Sequence, residues 1–429
     1  MVTGFGIGID FTGALLLIPT IQAELNADIT TTQWVLNIYA LFFAMLMVTG
    51  GRLGDIYGHR PVLMIGLVIF LLASLICYVA PTIGVLIAAR ALQGVGAGLI
   101  WPCMLAFGAV AIAAEKERGL VIGLILGGVT CGNTIGPMIS GVVIEFGEWR
   151  LFFLVNVVLA VVSIIALRLL LPIHKSPVSG ERIDLPGVVL LSVSILCLLY
   201  ALDVGTDLGW RSLPILALFS TSALFLLIFR VVERHVRDPL VHPELMRNRQ
   251  FVITLFLSCL QMPTIFIGFL YFPQYLQRSL EWSPFEAALG LAPLTALLAA
   301  GSVISGTMYK TFGPKRLLTS GYVLVALGAM SIPLLPNDLG YLQILPAMII
   351  AGIGATLCVG SSGTASVSAV SPDQAGLAGG LSFMAHLLYG AMMVAVATVI
   401  MAVVTTSELD HRLYDLRIHM SPADIGVIS

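Results

Sequence analysis

Asp10 and Arg90 are the residues of this chain whose type and position point most directly to chemistry, because each stands inside a long apolar run. A charge at such a depth is costly unless it is paired, wetted by a cavity or neutralised. A proton can discharge a buried carboxylate reversibly, and competition between a proton and a cationic or polar solute for one carboxylate gives exchange of one for the other. A guanidinium in such surroundings binds a carboxylate or backbone carbonyls and would tune how tightly a neighbouring acid holds its proton. A structural pairing between helices is the competing explanation for each residue, and their spacing does not say whether they meet. His386 lies well inside the last apolar run and is a third group that could carry a proton, with a satisfied interior histidine as the alternative.

Other polar and aromatic residues are scattered among the apolar runs. Trp34, Asn37, Tyr39, Gln93, Trp101, Gln261, Phe266, Tyr271, Phe383 and His386 are candidates to line a substrate cavity. Ordinary packing or anchoring at the membrane interface competes with that role at every one of them. The runs near 251–277, 286–309 and 317–335 hold no deep Asp or Glu, which favours neutral, monocationic or anionic amphiphiles over dications. Six cysteines all sit in apolar runs without a C-x-x-C pair, so they read as packing residues, and no metal site or cofactor is expected. No H-E-x-x-H, G-x-S-x-G or paired intramembrane aspartates support an enzyme, and no loop is long enough for a receptor's signalling domain.

The elements that must position these residues follow from composition. Of 429 residues 58% are apolar and 10% charged, and mean hydropathy is +1.02. A soluble domain carries about 25% charged residues. A soluble enzyme, a disordered chain and a nucleic-acid binder are therefore excluded. The expected partners are the lipid bilayer, protons and a small solute, with the chain acting as a monomer. In lipid the backbone must satisfy its own hydrogen bonds, so long apolar runs become helices, each needing about 20 residues to cross.

Thirteen runs meet that length, near 1–21, 32–51, 61–80, 83–110, 119–144, 150–171, 186–204, 212–232, 251–277, 286–309, 317–335, 341–366 and 377–404. Of the 21 Lys and Arg residues, only Arg150, Arg211, Arg278, Arg412 and Arg417 fall on one side, Arg90 lies within a span, and fifteen lie on the other side. The richer side is expected to be cytoplasmic. That puts the N-terminus inside and the tail, 405–429, outside. The first run begins almost at Met1 without a basic leader and contains Asp10, so no cleavable signal peptide is expected.

One loop recurs. Gly51–Met64 (GRLGDIYGHRPVLM) and Gly306–Leu318 (GTMYKTFGPKRLL) share glycines seven apart, and they are offset by 255 residues. Two related halves, each with this loop after its second helix, would form a parallel repeat with a substrate site between them. A chance match of one short loop is the alternative.

The first loop resembles the G-x-L-x-D-R-x-G-R-K/R signature of the major facilitator superfamily, with Gly51, Asp55, Gly58 and Arg60 in place. LIAARALQGVGAG, 86–98, is similar to that superfamily's fourth-helix signature at Arg90, Gln93 and Gly94. Gly132, Gly136, Pro137 and Gly141 resemble the fifth-helix signature of its antiporters, G-x-x-x-G-P-x-x-G-G. Asp10-Phe-Thr12 with Pro19 resembles the first-helix signature of the 14-span drug:proton antiporters. Further matches are Trp34-Val35 with Tyr39, Trp149-Arg150 with Asn156, Asp184-Leu-Pro-Gly187 and Asp238-Pro239-Leu240. Ile56, Ser140 and Lys310 depart from the pattern.

The resemblance implies an all-α polytopic membrane protein of two six-helix bundles with an inserted helix pair. The units would be 1–171, 172–250 for the inserted pair and its linkers, 251–404 with five of six helices, and the outer tail, the chain being expected to stop before a fourteenth span as a fragment or a natural truncation. It implies a proton-driven antiporter in a bacterial inner membrane exporting small amphipathic compounds or drugs. Uptake or uniport of a metabolite on the same fold is the alternative. Asp10 would carry the proton and Arg90 tune it. Asp55, Arg60, Pro137 and the five glycines Gly51, Gly58, Gly132, Gly136 and Gly141 would govern the conformational switch, although a topology anchor and simple close packing also account for them.

Overall fold

A computed structural model describes residues 1–110, 115–170, 183–332, 340–371 and 374–415. These residues form helices and, among the described residues, no strand. The first half comprises α1 (Val2–Leu25), α2 (Ile29–Tyr57), α3 (His59–Tyr78), α4 (Ile83–Val110), α5 (Glu115–Glu145) and α6 (Leu151–Leu170). Then come α7 (Leu185–Leu208), α8 (Leu213–Glu233) and α9 (Pro243–Arg247). The remainder is α10 (Arg249–Leu260), α11 (Met262–Ser279), α12 (Pro284–Gly290), α13 (Ala292–Ser331), α14 (Tyr341–Ser368) and α15 (Ala375–Asp415).

Helix limits follow local chemistry. Asn26 ends α1 in the left-handed conformation at φ 49°. Asp28 then caps α2, its Oδ1 accepting the Thr31 amide at 2.8 Å. Gly58 separates α2 from α3 at φ 95°, and Gly313 kinks α13 at φ 72°. These two glycines are the equivalent positions of the recurring loop, 255 residues apart, so the repeat extends from sequence to backbone conformation. Only glycine adopts such angles without strain.

Eleven helices among the described residues are long and apolar enough to cross a membrane, against thirteen expected runs. The difference lies in the second half. The run 251–277 is divided at Gln261 into α10 and α11, with Pro263 starting the second piece. The run 317–335 falls in the part of α13 beyond Gly313, whose non-helical φ 72° and ψ 164° mark a kink at which two helices adjoin. The residues from 416 onwards lie outside the described residues, as do Lys175 and Arg182 of the inserted pair's first linker.

Packing separates into two groups of helices joined along seams. Helix α1 packs on α5 and α6, α2 on α4, and α3 on α4 and α6, while α13 packs on α14 and α10 and α11 on α15. The groups meet where α2 and α4 touch α15 and where α5 touches α13 and α14. Helices α7 and α8 pair with each other, and α7 lies against both α2 and α15.

Glycines set the tightest approach inside the first group. A Cβ on Gly8 would lie 2.2 Å from the Val129 carbonyl oxygen, and one on Gly132 2.2 Å from that of Phe5. Ser140, which replaces a signature glycine, donates to the Gly13 carbonyl at 2.7 Å and so ties α5 to α1 directly. Gly136 faces the Ile9 carbonyl and Thr12 in the same way, whereas Pro137 and Gly141 follow on the same helix. Gly132→Ala is expected to lower stability by about 1–3 kcal/mol, because neither backbone can yield without separating the helices. A thermal unfolding midpoint in detergent equal to that of the native protein would contradict this packing account.

Candidate functional site

Asp10 and Arg90 meet. Arg90 Nη1 donates to Asp10 Oδ2 at 2.7 Å, and both side chains are almost wholly buried, at 1% and 0% exposure. Asn156 of α6 donates to the other carboxylate oxygen at 2.6 Å. Arg90 also donates from Nε to the Val35 carbonyl at 2.9 Å and from Nη1 to Gln93 at 2.8 Å. Gln93 in turn donates to Ser74 Oγ at 2.7 Å, and Ser74 donates to the Phe70 carbonyl at 2.7 Å. Five helices, α1, α2, α3, α4 and α6, thus converge on one ion pair. The guanidinium's planar fork is what allows it to serve a carboxylate, an amide and a carbonyl at once.

An aromatic chain leads from this pair to the seam between the two groups. The Arg90 guanidinium lies 4.3 Å from the centre of the Tyr39 ring. Tyr39 and Phe43 centroids are 5.8 Å apart, Phe43 and Trp101 6.1 Å, and Trp101 and Phe383 3.9 Å. Phe383 of α15 is followed by His386, 6.0 Å away. The indole nitrogen of Trp101 and Nε2 of His386 are buried without hydrogen-bonding partners. Buried polar atoms of this kind ordinarily find a partner.

The other cavity candidates lie elsewhere. Trp34 packs against Tyr200 with tilted rings 5.3 Å apart, and Asn37 donates to Asp203 at 2.5 Å, both partners being on α7. Gln261 donates to Ser362 at 3.3 Å, and Tyr271 shares a hydrogen bond with Thr398 at 2.5 Å. Phe266 lies in α11, and its side chain is outside the described residues.

The loop between α2 and α3 meets α15 end-on. Asp55 accepts the backbone amides of Gly376 and Leu377 at 2.9 and 2.8 Å, and so caps the N-terminus of α15 with a negative charge. His59 Nε2 is 3.5 Å from the same carboxylate. A Cβ on Gly51 would lie 2.2 Å from the Gly376 carbonyl oxygen, and one on Gly380 2.4 Å from that of Met47. Arg60 turns the other way and donates to the Leu167 and Arg168 carbonyls at 3.3 Å each, at the C-terminal end of α6. Both charges therefore sit on the helix ends that suit their sign.

Sequence reasoning did not assign roles to Asn156, Ser74, Gly376 or Leu377. A lone amide within the run 150–171 was the available signal for Asn156. The amides of Gly376 and Leu377 carry no side-chain signal at all. A further charged group lies behind the loop, where Glu233 at the end of α8 accepts the Leu240 amide at 2.9 Å and the Val241 amide at 3.2 Å. Burial pushes the Glu233 carboxyl up to about 7; the two amides and Arg52 oppose the rise and the Asp184 charge adds to it.

A buried ion pair shared by five helices, next to glycine-lined seams between two helix groups, suits a polytopic transporter whose parts must move against one another. The chain belongs to the Major Facilitator Superfamily, whose model matches residues 1–394. It is a transporter, not an enzyme. The chain is 31% identical over 409 residues to a puromycin resistance protein of Streptomyces alboniger, covering 94% of this chain and 81% of the relative. A tetracenomycin C resistance and export protein of Streptomyces glaucescens is 29% identical over 398 residues, covering 92% and 73%. Among solved structures, the proton:xylose symporter XylE bound to 6-bromo-6-deoxy-D-glucose aligns with a TM-score of 0.65 and 16% identity, over 93% of this chain and 86% of its own. The human organic anion transporter MFSD10 gives a TM-score of 0.57 and 15% identity, over 92% and 91%. At such identities the likeness to the solved structures is one of fold.

Proposed function

We propose that this protein is a proton-driven antiporter that exports small amphipathic compounds, drugs or antibiotics among them, across a bacterial inner membrane. The observation that carries the reading is the buried Asp10–Arg90 pair and its aromatic connection to the seam. The resistance and export functions of the similar Streptomyces proteins support export over uptake. The loop between α2 and α3 is assigned to the cytoplasm by its share of the basic residues, which puts the N-terminus inside. Residues 1–171 and 251–404 then act as two bundles, with 172–250 inserted between them, and a monomer suffices as the working unit.

The cycle follows from what each residue holds. With the Asp55 cap in place, the cytoplasmic end is closed and Asp10 is ionised against Arg90. A proton arriving from outside takes the Asp10 carboxylate out of the ion pair, while Asn156 can still donate to it. Arg90 remains held by Val35 and Gln93, so it is not left without acceptors. Loss of the charge attraction relaxes the α1–α4 contact, the Tyr39–Trp101–Phe383 row shifts, and the Asp55 cap on α15 releases. The cytoplasmic end opens, Asp10 loses its proton inward, and solute enters between Trp101 and Phe383. Trp101 and His386 supply the polar contacts, and the rings supply the apolar ones. Asp55, Gly51, Gly58 and Arg60 are the switch, and rocking of the two bundles is the motion.

Proteoliposomes loaded with ethidium or puromycin and given an imposed pH gradient test this reading. Native protein is expected to drive extrusion that collapses with the gradient, and Asp10→Asn is expected to abolish the dependence on the gradient. Transport insensitive to both the gradient and the substitution would sink the proton-coupling assignment.

A further inference from the structure

The inserted helix α7 packs along α2, and the end of α8 brings a buried carboxylate under the influence of a buried arginine of α2. Near the outer end, Asn37 of α2 donates to Asp203 of α7 at 2.5 Å, and Trp34 of α2 packs against Tyr200 of α7 with ring centroids 5.3 Å apart. Near the loop end, Arg52 of α2 is 2% exposed, and its charge acts on Glu233 at the end of α8. Glu233 is 8% exposed and holds the Leu240 and Val241 amides, so it also fixes the chain that leaves the pair. Asp184, which precedes α7, completes this group. A Cβ on Gly187 would stand 2.2 Å from Asp184 Oδ2 and 3.0 Å from Glu233 Oε1, so the two carboxylates crowd over a position that must lack a side chain. This accounts for the Asp184-Leu-Pro-Gly187 and Leu240 motifs.

Helix α7 also touches α15, the partner of α2 across the seam. The Trp34–Tyr200 contact and the Asn37–Asp203 hydrogen bond hold α7 on α2, and the buried charges of Arg52 and Glu233 at the other end resist separation into lipid. We infer that Glu233, Asp184 and Arg52 at one end, and Asn37 and Asp203 at the other, are positioning residues. They make the inserted pair ride on α2 as a fixed cover of the α2–α15 seam, against which α15 slides. The inference rests on the alternating-access reading and assigns the moving boundary within it. The cover keeps lipid out of a seam that must open and close, at the place where the two bundles separate.

Disulfide tethers test the inference in a full-length background whose six native cysteines are replaced by alanine. Asn37→Cys/Asp203→Cys and Trp34→Cys/Tyr200→Cys each join α7 to α2. Leu126→Cys/Gly363→Cys joins α5 to α14 across the other seam, where a Gly363 Cβ would lie 3.1 Å from Leu126. Gradient-driven ethidium extrusion from proteoliposomes is measured before and after reduction. The two α2–α7 tethers are expected to change the rate by less than about twofold, whereas the cross-seam tether is expected to lower it by about tenfold or more until it is reduced. The inference is overturned if an oxidised α2–α7 tether stops extrusion that returns on reduction. It is overturned equally if both reduced α2–α7 double variants are inactive, because two attachments make either one dispensable. Absence of gradient-driven extrusion in the background itself would count against the antiport reading, and the inference would fall with it.

Discussion

Arg90→Met is expected to destabilise the protein by about 3–5 kcal/mol, because it leaves the Asp10 carboxylate buried without its counter-charge. The loss exceeds what one hydrogen bond supplies, since Arg90 also binds the Val35 carbonyl and Gln93 and lies over the Tyr39 ring. Methionine keeps the length and the apolar stem, so the effect reports charge more than volume. Arg90→Lys is not expected to restore stability, because one ammonium cannot reach three acceptors that the guanidinium fork spans. The double variant Asp10→Asn/Arg90→Met removes both charges and is expected to recover most of the loss. Thermal unfolding of the native protein, Asp10→Asn, Arg90→Met and the double variant in one detergent completes the cycle. Additive losses, with the double variant worse than either single one, would mean that the two side chains act independently.

Gly376→Leu is expected to abolish transport while leaving the protein folded. A Cβ at Gly376 would lie 2.6 Å from the Gly51 carbonyl oxygen, 2.7 Å from Asp55 Oδ1 and 2.9 Å from His59. All three belong to the far side of the seam, so this end of the seam can no longer close around Asp55. The bundles themselves are untouched, and a form open on that side tolerates the side chain. Asp55→Asn tests the same contact through charge. It gives up a carboxylate that accepts two amides, worth about 1.5–3 kcal/mol for a charged hydrogen bond, and shifts the closed state by roughly tenfold to a hundredfold. Labelling of Met47→Cys by an impermeant maleimide in inside-out vesicles should rise in both variants. Unchanged labelling would show that closure does not depend on the Asp55 cap.

Several features were legible in the residues themselves. The long continuous apolar runs determined helices in lipid, because such a run satisfies its own backbone hydrogen bonds there only as a helix, whereas a barrel strand is short and alternates apolar with polar residues. Asp10 and Arg90 stood out because a charge within a span is rare and needs a reason. The glycine of the recurring loop was legible too, since Gly58 and Gly313 share a conformation that a side chain would oppose. Helix limits in the second half were less so. Proline and polar residues near Gln261 divided one run, whereas Gly313 set two helices end to end across a kink.

By itself, then, the sequence determined which residues had to be explained, and the tertiary structure decided what each one meets. Asp10 and Arg90 are 80 residues apart, and Asp55 and Gly376 are 321 apart. No periodicity along one helix reports a contact made between two, because helix faces are set by packing against neighbours whose placement depends on the whole bundle. Trp34 and Asn37 show the consequence, for their types suited a cavity and their helix turns them onto α7. Backbone amides at the start of α15 carry no side-chain signature, so only the folded chain could present them to Asp55. The physical reason is the same throughout: a buried charge announces its need in the sequence, and the partner that meets the need is chosen in three dimensions.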